Sequence, residues 1–128
     1  MKRLFSAPTS VNLELTELCN VKCRHCYNFW RDESMGITSL NVKKLERVIK
    51  QISDAGVFHV ICTGGEPFAN FELLHHAIKM ISKYKMTMSV NSNLMIVKKE
   101  NVLKLKKLGL DHILTSLPSP DSKLNDYI

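Results

Sequence analysis

The run Cys19-Asn20-Val21-Lys22-Cys23-Arg24-His25-Cys26 packs three cysteines into eight residues. The spacing C-x-x-x-C-x-x-C lets one short loop present three thiolates to a single inorganic centre. Iron–sulfur clusters are held by such thiolates, usually four of them. Three ligands from one loop leave one iron without a protein donor. An open coordination position is where a metal site does chemistry instead of only holding a fold together. The competing chemistry is a structural zinc site, which needs a fourth ligand, and His25, His59 and Cys62 are the residues on offer. Cys62 sits in a short apolar run and reads as a small core residue. His59, His75 and His76 read as structural or solvated, and His112, at the start of the fourth strand and opposite the site, has no role.

The composition limits what such a loop could belong to. A chain of 128 residues suits one compact domain. Its hydrophobic fraction of 45% and charged fraction of 23% are ordinary for a soluble globular protein. No apolar run approaches the ~20 residues a membrane span needs. The start Met1-Lys2-Arg3-Leu4-Phe5 lacks the long apolar core of a signal peptide. The expected compartment is the cytoplasm, where reducing conditions favour metal ligation by clustered cysteines over disulfides. The net charge of +6 gathers partly on Lys98, Lys99, Lys104, Lys106 and Lys107. These lie on or beside one predicted helix and read as its solvated face, without the interleaved aromatics of a nucleic-acid surface.

The elements that must position the loop alternate in type. Val11, Leu13 and Leu15 alternate with polar residues, so Val11 to Thr16 reads as a strand, and the cysteine loop follows its C-terminal end. Thr38 or Ser39 could cap a helix with the stripe Val42, Leu45, Val48, Ile49 and Ile52, stopped at Gly56. Val57 to Cys62 reads as a strand buried on both faces, broken by Thr63-Gly64-Gly65-Glu66-Pro67. Asn70 could cap a helix burying Leu73, Leu74, Ala77, Ile78 and Ile81. Met86 to Asn91 reads as a third strand, Val97 to Leu108 as a helix and Leu110 to Leu117 as a fourth strand. A turn at Pro118-Ser119-Pro120-Asp121 leads into a last helix. This order implies right-handed crossovers and a parallel α/β sheet. Ligands of such sheets sit at the C-terminal strand ends, where the cysteine loop, the glycine pair, Ser92-Asn93 and Ser116 all fall.

With both motifs in this order, the chain resembles the radical S-adenosylmethionine (radical SAM) enzymes from about Val11 to its end. The stretch Leu15 to Asn28 looks most like the branch that modifies peptides and protein side chains, the SPASM-type enzymes. The resemblance implies a 4Fe–4S cluster on Cys19, Cys23 and Cys26, with S-adenosylmethionine (SAM) on the remaining iron. His25 would lie near the adenine and Gly64, Gly65 and Glu66 near the methionine amino group. Ser92-Asn93 matches a Thr-Asn pair that ends the third strand, and Ser116 a serine near SAM. Tyr27, Phe29 and Trp30 could cover the cluster. Two departures stand out: Leu94 occupies a position where glycine often follows, and Pro118-Ser119 replaces Asp-Gly.

The implied fold is a (β/α)6 partial TIM barrel, of which this chain supplies about four strands. Residues 1–10 then form a lead-in, and 11–128 the N-terminal portion of the core, cut before a fifth strand. The implied activity is reductive cleavage of SAM to a 5′-deoxyadenosyl radical that takes hydrogen from a peptide. The implied partners are that peptide and an electron donor such as flavodoxin or ferredoxin, with no membrane and no nucleic acid. Two further readings stand beside it: an iron–sulfur or zinc-binding module that does not turn over, and an RNA-modifying radical SAM enzyme.

Overall fold

Side-chain alternation and helix caps organise the chain in this computed structural model, which describes residues 6–27, 36, 38–115 and 117–127. The described order is β1 (Ser10–Thr16), α1 (Val42–Asp54), β2 (His59–Gly64), a single 3-10 turn (Pro67–Asn70), α2 (Phe71–Lys83), β3 (Thr87–Asn91), α3 (Lys99–Lys107), β4 (His112–Leu114) and α4 (Ser122–Tyr127). The strands form one sheet in the order β1-β2-β3-β4, and every pairing is parallel. Among the described residues, no helix is long and apolar enough to cross a membrane.

Strand register sorts the side chains onto two faces. Leu13 pairs with Cys62, and Val60 with Met88. These residues, with Leu15 and Val90, pack against Leu45 and Ile49 of α1, Leu74, Ile78 and Ile81 of α2, and Leu105 of α3 in one core. The other face carries Asn12, Glu14, His59, Ile61, Thr63, Thr87, Asn91 and His112, and no described helix covers it. β2 is therefore not buried on both faces. Val60, Cys62 and Gly64 are buried, while His59, Ile61 and Thr63 stay half-exposed. An apolar run cannot by itself reveal that the covering helices all lie on one side.

Three boundaries also differ from expectation. Asn41, not Thr38 or Ser39, caps α1, its Oδ1 accepting from the Lys44 N–H at 2.8 Å. Ser39 is instead drawn to the Thr16 hydroxyl at 2.6 Å, in an antiparallel bridge to the end of β1. Val42 is consequently exposed rather than part of the buried stripe. Val57 and Phe58 precede β2, and the Val57 N–H closes back on the Ile52 carbonyl at 3.3 Å. β4 is only three residues long, paired along one edge with β3, and its Leu114 is exposed. By contrast, α2 buries the five residues expected of it, and Asn70 caps it through the Leu73 N–H.

Candidate functional site

The cysteine loop is fastened at its root before any ligand is considered. The Gly65 N–H donates to the Thr16 carbonyl at 2.7 Å, and the Glu66 N–H to the Leu18 carbonyl at 2.8 Å. This approach is closed to any residue with a Cβ. At Gly65 a Cβ would stand 2.1 Å from the Leu18 carbonyl oxygen, and at Gly64, where φ is +124°, it would stand 2.5 Å from that of Thr16. The missing side chains thus admit the root of the loop. From the other side, the Glu17 N–H donates to the Thr38 carbonyl at 2.9 Å, and the Glu17 Oε2 accepts from the Thr38 N–H at 2.8 Å.

Glu66 is fully buried, and its carboxylate faces donors only. Oε1 accepts from the Phe68 N–H at 3.0 Å and from the Ser92 hydroxyl at 2.9 Å. Oε2 accepts from the Asn93 N–H at 2.8 Å. These donors replace the water that burial removes. The Asn93 amide then reaches the loop, donating from Nδ2 to the Asn20 Oδ1 at 2.9 Å. Ser92 and Asn93 thus lie beside the loop, and their side chains join β2 and β3 to it. Asn20 was legible only as a spacer between cysteines; nothing local marks it as the acceptor for a residue 73 positions away.

The three loop cysteines are free thiols, Cys23 exposed and Cys19 and Cys26 half-buried. The Cys26 N–H closes a turn on the Cys23 carbonyl at 3.2 Å, putting those two residues on one short turn. Among the described residues no three His, Cys, Asp or Glu side chains converge as a metal site. The fit to an iron–sulfur cluster is therefore one of donor chemistry: three accessible thiols in one loop at the C-terminal rim of a parallel sheet, with no disulfide formed. His25 is exposed beside them. Arg24 lies over the Tyr127 ring, 4.2 Å from its centroid, so α4 folds back onto the loop, a contact without any sequence signal.

Tyr27 leaves the rim and reaches the uncovered face, its hydroxyl donating to the Glu14 Oε1 at 3.0 Å. Partial burial and then that carboxylate hold its phenol above the usual range. Phe29, Trp30 and Ser116 lie outside the described residues. Cys62 is wholly buried, and desolvation pushes its thiol up to about 12. It packs in the core with Leu13, Val60 and Val90. His59 bonds the Thr87 and Ser89 hydroxyls at 2.8 and 3.0 Å and stacks on His112 at 5.8 Å, while His76 meets Glu46 at 2.9 Å. A groove of about 480 Å³, its lining including Lys43, Glu46, Arg47, Lys50, Lys83 and Tyr84, lies between α1 and α2.

Known proteins share this arrangement. The family described as the Radical SAM superfamily matches residues 13–128. The chain is 31% identical over 117 residues to a probable GTP 3′,8-cyclase of Pyrococcus horikoshii, covering 90% of this chain and 36% of that protein. It is 32% identical over 127 residues to the antilisterial bacteriocin subtilosin biosynthesis protein AlbA of Bacillus subtilis, covering 95% of this chain and 27% of that one. Streptococcus suis SuiB, solved bound to its precursor peptide SuiA, superposes with a TM-score of 0.78 at 27% identity, covering 96% of this chain and 27% of SuiB. The chain thus spans about a third or less of these relatives' length, in the same parallel α/β architecture.

Proposed function

The chain belongs to the radical SAM superfamily, and from that premise we propose that the protein holds a 4Fe–4S cluster on Cys19, Cys23 and Cys26, binds SAM and abstracts hydrogen from a peptide. The observation that carries this reading is the loop itself: three free thiols pinned by Gly65 and Glu66 to the rim where parallel sheets take their ligands. When bound, the cluster supplies the electron that cleaves the sulfonium carbon–sulfur bond of SAM. Residues 11–128 are the N-terminal portion of the core that does this.

The chain's own residues have separable parts. Thiolates are the ligating form, and iron lowers the thiol pKa enough to hold them so. The N–H groups of Gly65 and Glu66 are already engaged by the loop root. What this segment offers the methionine ammonium is carbonyl oxygen, the acceptor that a cation needs. His25, exposed beside the thiols, is the residue assigned to stack on the adenine. Tyr27 shields one flank of the loop through its bond to Glu14. Ser116, beyond β4, is the further SAM contact. A flavodoxin or ferredoxin supplies the electron.

AlbA and SuiB support a peptide as substrate. The likeness to a GTP cyclase favours a nucleotide as the second reading. Reconstitution with iron and sulfide under argon, followed by an assay for 5′-deoxyadenosine, tests the reaction. Visible cluster absorbance lost on Cys→Ala change at any of the three positions is the expected result. Tight zinc binding with no cluster absorbance and no SAM cleavage overturns it. Isotope transfer from labelled peptide or labelled GTP into 5′-deoxyadenosine decides between the substrates.

A further inference from the structure

We propose that Glu66 is a positioning residue for Cys19, holding the loop on both sides of that cysteine. Its main-chain N–H grips the Leu18 carbonyl at 2.8 Å. Its side chain sets Asn93 through Oε2, and Asn93 carries the grip on to Asn20 at 2.9 Å. Leu18 and Asn20 flank Cys19 directly. One residue at the end of β2 therefore fixes the backbone before the first thiol and, through β3, the side chain after it. The functional consequence rests on the reading of this loop as a cluster site; the mechanical claim does not.

The residue type follows from the donors. Phe68 N–H, Ser92 hydroxyl and Asn93 N–H all point at the same buried group. A carboxylate meets them with two acceptor oxygens and no hydrogen of its own. A glutamine in this position would turn an NH2 group toward at least one N–H or O–H donor. Aspartate, one methylene shorter, would not span from the Leu18 contact to both Ser92 and Asn93. Because the group is fully buried, an unmet donor there has no water to turn to. Ser92 is fixed by the same set of contacts. Its hydroxyl donates to Glu66 while accepting from the Leu94 N–H at 3.0 Å, which orders the turn that presents Asn93.

Alkylation of the full chain by iodoacetamide, followed cysteine by cysteine by mass spectrometry, tests this without any cluster. Cys62 is the internal reference, since it is wholly buried and reacts only when the core opens. Glu66→Gln, Asn93→Ala and Asn20→Ala are each expected to speed modification of Cys19 by roughly fivefold, the change that losing one ordinary hydrogen bond produces. Cys62 should keep its wild-type rate. The double variant Glu66→Gln with Asn20→Ala should react no faster than the faster single variant, because both cut one chain of contacts. Asn20 and Asn93 are partly exposed, so those variants carry the test even where Glu66→Gln does not fold.

An unchanged Cys19 rate in Asn20→Ala and Asn93→Ala overturns the proposal. So do a Cys62 rate that rises in step with Cys19, multiplying effects in the double variant, and a wild-type Cys19 that already reacts like a free thiol. In reconstituted protein the same variants should lose cluster iron to a chelator faster. A wild type that takes up no cluster would sink the functional reading and leave the alkylation rates to decide this one.

Discussion

The two faces of the sheet are made by the same four strands, yet they are chemically opposed. On one, Leu13, Leu15, Val60, Cys62 and Val90 meet three helices and lose their water. On the other, Glu14, His59, Thr63 and Asn91 keep theirs or replace it with side-chain hydrogen bonds, as Tyr27 does for Glu14 and Thr87 for His59. Stability resides on the first face. The second, together with the C-terminal rim, is free to carry groups that would be too costly to bury. The cysteines divide in the same way. Cys62 is a core side chain, and the loop trio lies at the accessible rim.

The sharpest way to break that division is to cut one side chain from each face. Leu74→Ala empties a fully buried site on α2 and should lower unfolding free energy by about 2–5 kcal/mol in a denaturant titration. Thr63→Ala on the uncovered face gives up only a hydrogen bond to Tyr27 and should change it by about 1 kcal/mol or less. Equal losses would erase the distinction. Next in size is Gly65→Ala. Its Cβ would meet the Leu18 carbonyl at 2.1 Å, so the loop root must shift. A loss of about 1–3 kcal/mol is expected, with faster alkylation of Cys19, Cys23 and Cys26. A neutral outcome would show that the rim does not hold the loop.

Cys62 sharpens the comparison through pH. Unfolded, its thiol has the ordinary value of 9.0; folded, burial holds it at about 12. Below 9.0 both states keep the proton and the residue contributes no pH dependence. Between those values only the unfolded chain releases it, so stability should fall by about 1.4 kcal/mol per pH unit. Cys62→Ala should flatten that alkaline limb in denaturant titrations at pH 8 to 11. The last test falls on Leu94, a non-glycine residue held at φ +61° just after Asn93. Leu94→Gly relieves that strain but loosens the unfolded chain, so a gain of up to about 1 kcal/mol is expected from thermal melts.

Local pattern was enough to read a good part of this protein. Alternation in Val11–Leu15 and the stripe from Leu73 to Ile81 specify element type and buried side, because both periods are set within a single segment. The C-x-x-x-C-x-x-C spacing and the glycine pair are legible in the same way, each complete within a few residues. Whatever needed a partner from elsewhere in the chain was decided only in three dimensions. Asn41 took the cap of α1 because Ser39 was claimed by Thr16. β2 is covered on one side because all three long helices pack there. The glycine pair meets the backbone of residues 16–18, and Glu66 faces Ser92 and Asn93, because parallel crossovers carry distant strand ends to one rim. Spacing along a chain fixes which side chains can act together locally; only packing fixes which distant donor a buried acceptor will find.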